Sequence, residues 1–166
     1  MRIRRSKHDD IFSRLVRERA NWACERCGRH FPPGATQGLH CSHFYGRARK
    51  SVRWASFNAF AHCYGCHANL TAHPADFMQW IFDRIPQECY ARLTALANRQ
   101  IRFNKHDLET LYRHLCAEHK RMMELRQAGN QGRIEFTGSE GFTTGGPEDG
   151  IEHSAPVAPE KRRRRR

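Results

Sequence analysis

Apolar residues near the start of the chain recur at helical spacing. Phe12, Leu15, Val16, Arg19 and Trp22 mark one face of a stretch over about 9–22, and Asp9 and Asp10 stand where acidic side chains favour a helix start. Gly28 to Gly38, with Pro32, Pro33 and Gly34, breaks the pattern and reads as turns. Leu39–Tyr45 predicts a strand, a basic loop runs on to Phe57, and Ala59–Cys63 predicts a second short extended stretch. Helical character returns near Gly65. The His73-Pro74 pair interrupts it, and the proline suits the first turn of a new helix that carries Phe77, Trp80, Ile81 and Ile85 on one face. Leu93 and Leu96 mark another helix over 87–99. Asn104 can cap a last long helix, with Leu108, Leu111, Leu115 and Met122 on one stripe and Leu125 beside it. The sequence has no internal repeat. Helices around two short strands make an α+β fold.

From residue 128 large apolar side chains thin out, and glycine, proline, serine and threonine take over. Such a segment buries too little surface to offset its ordering entropy, so 128–166 is expected to be a disordered linker ending in a polybasic arm, Lys161–Arg166. That arm could bind phosphates, serve as a targeting signal or solubilise the chain. The folded domain is expected to span 1–127.

The 166-residue chain carries a net charge of +12, unevenly placed. Residues 1–127 hold 22 basic against 11 acidic side chains, 128–160 hold one against six, and 161–166 are all basic. The body is thus basic in its own right, which points to a polyanionic partner, most simply nucleic acid. No apolar run reaches the ~18–20 residues of a membrane helix, so no membrane association is expected. Met1–Arg5 lacks the apolar stretch of a secretory signal, so a cytoplasmic location is expected.

Seven cysteines in a chain without such a signal argue for metal or reduced thiols rather than a disulfide scaffold. Four of them form two C-x-x-C pairs, Cys24/Cys27 and Cys63/Cys66, separated by 35 residues. A two-residue gap lets both thiolates of a pair face one ion, and two such pairs build a tetrahedral structural Zn2+ site. Cys41, Cys89 and Cys116 lack such partners and read as packed thiols.

A second pattern overlaps the first. Asn58 follows His43 by 15 residues, and His67, next to Cys66, follows Asn58 by nine. This His–Asn–His spacing resembles the HNH (His-Me finger) endonuclease motif. The run Leu39–Phe44, Arg53-Trp54, Asn58 and Cys63–Cys66, with Arg17-Glu18-Arg19 and Cys24–Cys27 upstream and Phe77–Ile85 downstream, is similar to the NinG (Rap) recombination endonucleases of lambdoid phages. The similarity spans roughly 14–126. Ser42 stands where that family has glycine and many HNH enzymes have a metal ligand. His40 stands where the family has an acid, and His67 where it has asparagine.

The resemblance implies a small zinc-stabilised ββα-metal finger with packed helices on both sides, and a metal-dependent hydrolase of DNA phosphodiesters. His43 is the expected general base, since a neutral imidazole can take a proton from water near pH 7. Asn58 is expected to hydrogen-bond across the loop and hold His43 in place. His67 is the expected ligand of a catalytic Mg2+ or Mn2+ ion, with His40 a ligand in place of the missing acid or Ser42 holding a metal-bound water; imidazole ligands would also accept Zn2+ or Ni2+. Arg47, Arg49, Lys50 and Arg53, on the loop after His43, are expected to grip phosphates, and Lys105, Arg113, Lys120, Arg121 and Arg126 to extend the track. Trp54 and Tyr64 read as packing residues. The family's substrates imply branched recombination DNA such as a Holliday junction, cut by a homodimer if two strands must be nicked, in a bacterial host cytoplasm if the chain is phage-encoded. The other readings are a catalytically silent zinc module that binds DNA in recombination, and a nuclease with duplex-nicking, restriction or homing activity.

Overall fold

The computed structural model describes residues 4–35 and 37–141. The polybasic arm, expected at 161–166, and the linker from 142 onward lie outside the described residues. Among the described residues the order is α1 (Lys7–Arg19), β1 (Leu39–His43), β2 (Ala59–Cys63), α2 (Tyr64–Ala72), α3 (Pro74–Phe82), α4 (Gln87–Ala97) and α5 (Lys105–Gln127). This is an α+β arrangement, and no helix among these residues is long and apolar enough to cross a membrane.

Helices α1 and α5 begin on capping boxes. Ser6 and Asp9 satisfy each other's backbone amides at the first, Asn104 and Asp107 at the second. Pro74 opens α3 at its first turn, as the His73-Pro74 break predicts. Trp22 does not continue α1. The helix stops at Arg19, and Asn21 and Trp22 turn the chain back with positive φ, so Trp22 caps the core from the turn.

Strands β1 and β2 pair antiparallel, with Leu39 opposite Cys63, His40 opposite His62, Ser42 opposite Phe60 and His43 opposite Ala59. Alternation along a strand sends successive side chains to opposite faces. Leu39, Cys41, Ala59, Ala61 and Cys63 pack on one face against Phe12, Leu15 and Val16 of α1 and Leu111, Leu115 and Met122 of α5. Phe60 packs on the other, against Leu70 of α2 and Phe77 and Ile81 of α3. A third cluster seats Val52 and Ala55 of the long β1–β2 loop on Leu93, Leu96 and Ala97 of α4.

Two buried arginines of α1 fasten the sheet. Arg17 donates to the Leu39 carbonyl at 2.7 Å, and Arg19 to the carbonyls of Ser56 at 2.7 Å and Ala59 at 2.6 Å. Between them Glu18 accepts from the Trp22 indole and from Arg126 at the end of α5. The Arg17-Glu18-Arg19 run is therefore a structural brace.

The expectation of disorder from residue 128 does not hold for 128–141. Ile134 and Phe136 are buried in the main core, where Phe136 stands edge-on to Phe12 at 5.8 Å. Arg126 holds the returning chain by the carbonyls of Asn130 and Gly132. Glu140 accepts from the Ser56 amide at 3.0 Å and from the Ser56 hydroxyl. Gly138 makes this docking possible, because a Cβ there would lie 2.0 Å from the Trp54 carbonyl oxygen. The segment's composition is poor, but two apolar residues spaced by two, together with one buried carboxylate, suffice to seat an extended strap.

Candidate metal centre and histidine cluster

The first cysteine pair sits in a tight turn. The Gly28 amide donates to the Cys24 carbonyl at 2.8 Å and the Cys24 amide to the Arg29 carbonyl at 2.8 Å, with Gly28 in the left-handed region that a Cβ would strain. Glu25, inside the pair, carries the turn to the second pair. Its backbone amide donates to the Ala61 carbonyl at 2.7 Å, and its buried carboxylate accepts the Ala61 amide at 2.6 Å. Burial alone would raise the Glu25 pKa; Arg19 and Arg133 beside it bring it below the usual carboxylate range. Ala61 lies two residues before Cys63, so this clasp sets one pair against the other.

The sulfurs of Cys24, Cys27, Cys63 and Cys66 lie within 4.8 Å of one another, a cluster that could hold a metal ion. Four thiolates ~2.3 Å from a tetrahedral zinc stand roughly 3.8 Å apart. Cys27 and Cys63 are 3.7 Å apart, which fits that geometry and is far from a disulfide bond. Burial and the three neighbouring sulfurs push the Cys66 thiol well above its ordinary value, a cost that a divalent cation at the centre removes. Cys41, by contrast, is half-buried and packed against the main core, and burial raises its thiol to about 12, as expected of a packed cysteine.

Beside the cysteines, on the β-sheet face that meets α2, lies a cluster of histidines. His67, on α2, presents Nδ1 to the Ser42 hydroxyl at 3.0 Å. Its ring stacks on His40 at 5.0 Å and 17°. Burial lowers the pKa of both; Arg17 depresses His40 further, and a proton on His40 would depress His67, so the neutral form is favoured in each ring. His62, directly across from His40, is fully buried among Phe60, Phe77 and Trp80, and neither ring nitrogen has a hydrogen-bond partner. No spacing in the sequence singles out His62.

His43 is placed differently. Strand alternation sends it to the α1 face, where its ring lies 5.8 Å from Phe12 and its Nε2 meets the Arg53 carbonyl at 3.0 Å. A carbonyl can only accept, so the proton of the neutral ring lies on Nε2. Burial lowers the His43 pKa; the Arg53 carbonyl and the Cys41 backbone act in the opposite sense. The structure thus joins His40, Ser42 and His67, and turns the His43 ring to the opposite face from them.

Asn58 is fully buried and clamps the loop between the strands. Its Oδ1 accepts the Tyr45 amide at 2.8 Å, and its Nδ2 donates to the carbonyls of Tyr45 at 3.0 Å and Val52 at 2.8 Å. The four loop cations separate into two kinds. Arg53 is a structural residue: Asp9 takes its guanidinium at 2.9 and 2.6 Å, and the side chain is only 12% exposed. Arg49 fixes the loop to α4 through the Ala97 carbonyl at 2.9 Å and Asn98 at 3.3 Å, yet remains largely exposed. Lys50 is exposed and Arg47 half-buried. Along α5, Arg126 is committed to Glu18 and Arg121 to Glu118. Trp54 is buried, donating its indole to Asp9 at 3.0 Å, whereas Tyr64 is 71% exposed rather than packed. Asp9 is 44 residues from Arg53, and no local pattern could have paired them.

Comparison with protein-family models, with curated proteins and with solved structures returns no match, so the functional reading rests on the geometry of this chain.

Proposed function

We propose that the chain is a zinc-stabilised, metal-dependent DNA endonuclease of the HNH type, acting on branched recombination DNA. The observation that carries the reading is the ββα unit itself. An antiparallel strand pair runs straight into α2, bringing His67 against Ser42 and His40 beside a loop that Asn58 clamps from within. A four-cysteine zinc ion would lock α2 to the N-terminal turn and hold that unit together.

In this reading a divalent ion, when bound, neutralises charge on the phosphoryl group and the leaving oxygen. The chain's own residues would do the rest. His40 and His67 offer neutral imidazoles and Ser42 a hydroxyl. That donor set has no carboxylate, so it fits Mn2+ or another imidazole-accepting ion rather than Mg2+, which prefers oxygen ligands. His43, its Nε2 turned to the Arg53 carbonyl and its pKa lowered by burial, is the imidazole that would take a water proton. Asn58 holds the loop that carries the Arg53 carbonyl, and so holds the ring. Arg47, Arg49 and Lys50 face phosphates.

The position of His43 favours a second reading, a zinc module that binds DNA without cutting it. Cleavage assays separate the two. Duplex, fork, flap, four-way junction and single-stranded DNA are incubated with Mn2+, Mg2+ or EDTA. The nuclease reading expects metal-dependent cutting, lost by ~10²–10⁴ in His43→Ala with binding retained. His67→Ala should raise the metal concentration required, and Asn58→Ala should lose rate through misorientation. A parent protein that binds these substrates and cuts none of them leaves the silent module.

A further inference from the structure

An open cleft of about 700 Å³ lies between the basic loop and the chain that joins α4 to α5. One wall is Ala48, Arg49 and Lys50; the other runs from Ala97 through Asn98, Arg99 and Gln100 to Arg102. Among the described residues four cations line it and no acidic residue does. We propose that this cleft is a binding site for the phosphodiester backbone of DNA, with Arg102 as a phosphate contact opposite Lys50. The inference rests on the nucleic-acid reading above for the nature of its partner, but not on cleavage.

Three features support it. The first is chemistry. Arg49, Lys50, Arg99 and Arg102 are all exposed, and the amides of Asn98 and Gln100 add neutral donors between them. Phosphate oxygens are recognised by this mixture of guanidinium, ammonium and amide groups.

The second is preorganisation. Arg49 spans the cleft floor, donating to the Ala97 carbonyl and to Asn98 while lying 5.5 Å from the Tyr45 ring. Tyr45 in turn bonds Thr94 of α4 at 3.1 Å and is gripped on both backbone groups by Asn58. Val52 and Ala55 are buried on Leu93 and Leu96. The two walls are therefore held at a fixed separation before any ligand arrives, which lowers the ordering cost of binding.

The third is position. The loop wall belongs to the segment between His43 and Asn58, the same loop whose Arg53 carbonyl meets the His43 ring.

The test measures binding of the full chain to a labelled ~25-base-pair duplex across a salt series, for the parent, Arg102→Gln, Lys50→Gln, and the charge-preserving Arg102→Lys. Each lost phosphate contact shallows the slope of log K against log salt by ~0.9. Arg102→Gln and Lys50→Gln should each lose ~0.9 in slope and about 5-fold in affinity at 150 mM salt, and Arg102→Lys should bind nearly as the parent does. Lys50 stands on the opposite wall, so it tests the cleft even if Arg102→Gln fails to fold. Parent-like slopes in both neutralised proteins overturn the cleft while leaving the nuclease reading to its own assay. A parent that binds, loses binding in these variants and never cuts keeps the cleft and removes the nuclease. A parent that binds no DNA removes both.

Discussion

The strap from 130 to 141 should carry a measurable share of stability, and Phe136 is the residue to test. Its ring is 5% exposed, sits edge-on to Phe12 and lies 5.7 Å beneath the Arg19 guanidinium. Phe136→Ala removes a buried aromatic from a site walled by α1 and the sheet, elements with their own fixed hydrogen bonds that cannot collapse inward. Such truncations cost about 3–5 kcal/mol. For a folded body of this size that is a fall in Tm on the order of 10 °C. Arg19 amplifies the effect, because it is buried, holds the Ser56 and Ala59 carbonyls, and would gain a cavity beside its charge.

The assay is urea denaturation of the zinc-loaded protein at pH 7, followed by tryptophan fluorescence, with a chain stopped after residue 141 as the second sample. The shortened chain keeps every strap contact described above and should unfold as the full chain does. Gly138→Ala should instead destabilise it, since the added methyl meets the Trp54 carbonyl. If Phe136→Ala shifts the unfolding free energy by less than ~1 kcal/mol, the strap is not part of the core and the domain ends near 127 after all.

The cysteine cluster predicts close to one tightly held zinc per chain by elemental analysis; Cys63→Ser should release it and lower Tm steeply, and a zinc-free protein of unchanged stability would count against the site. Asp9 gives a pH test. Burial would raise its pKa, but bonds from Arg53 and Ser6 bring it from 3.8 down to about 2, so its stabilisation is complete above pH ~4 and lost as pH falls through ~2. The gap in stability between parent and Asp9→Asn should narrow by roughly 2 kcal/mol over that window, and a gap independent of pH would refute the assignment.

The helices were legible because each buries a stripe long enough to show its period. Leu111, Leu115 and Met122 alone mark the buried face of α5, and the residues that open α3 and α5, Pro74 and Asn104, are local signals. The cysteine pairs were legible because zinc chemistry fixes a spacing. What escaped the sequence depends on distant partners. Arg53 reads as a loop cation until Asp9 is seen beneath it, and Tyr64 reads as packing until α2 turns it outward. The strap escaped because it offers two apolar side chains and no period.

The motif raises a different question. Spacing of 15 and nine residues locates His43, Asn58 and His67 along the chain, but spacing says nothing about face. Ser42 and His43 are neighbours on a strand, and neighbours on a strand diverge. Ser42 goes to His67; His43 goes to Phe12 and the Arg53 carbonyl. Catalysis by this trio therefore needs a substrate that wraps the end of β1, with the scissile phosphate reached from the His43 face and its charge met from the His67 face. Branched DNA, which presents strands leaving in different directions, can meet both faces at once more readily than a straight duplex. If the proposed nuclease reading holds, strand alternation leads to an expected preference for junctions in the cleavage assay, and equal cutting of straight duplex and junction would contradict it.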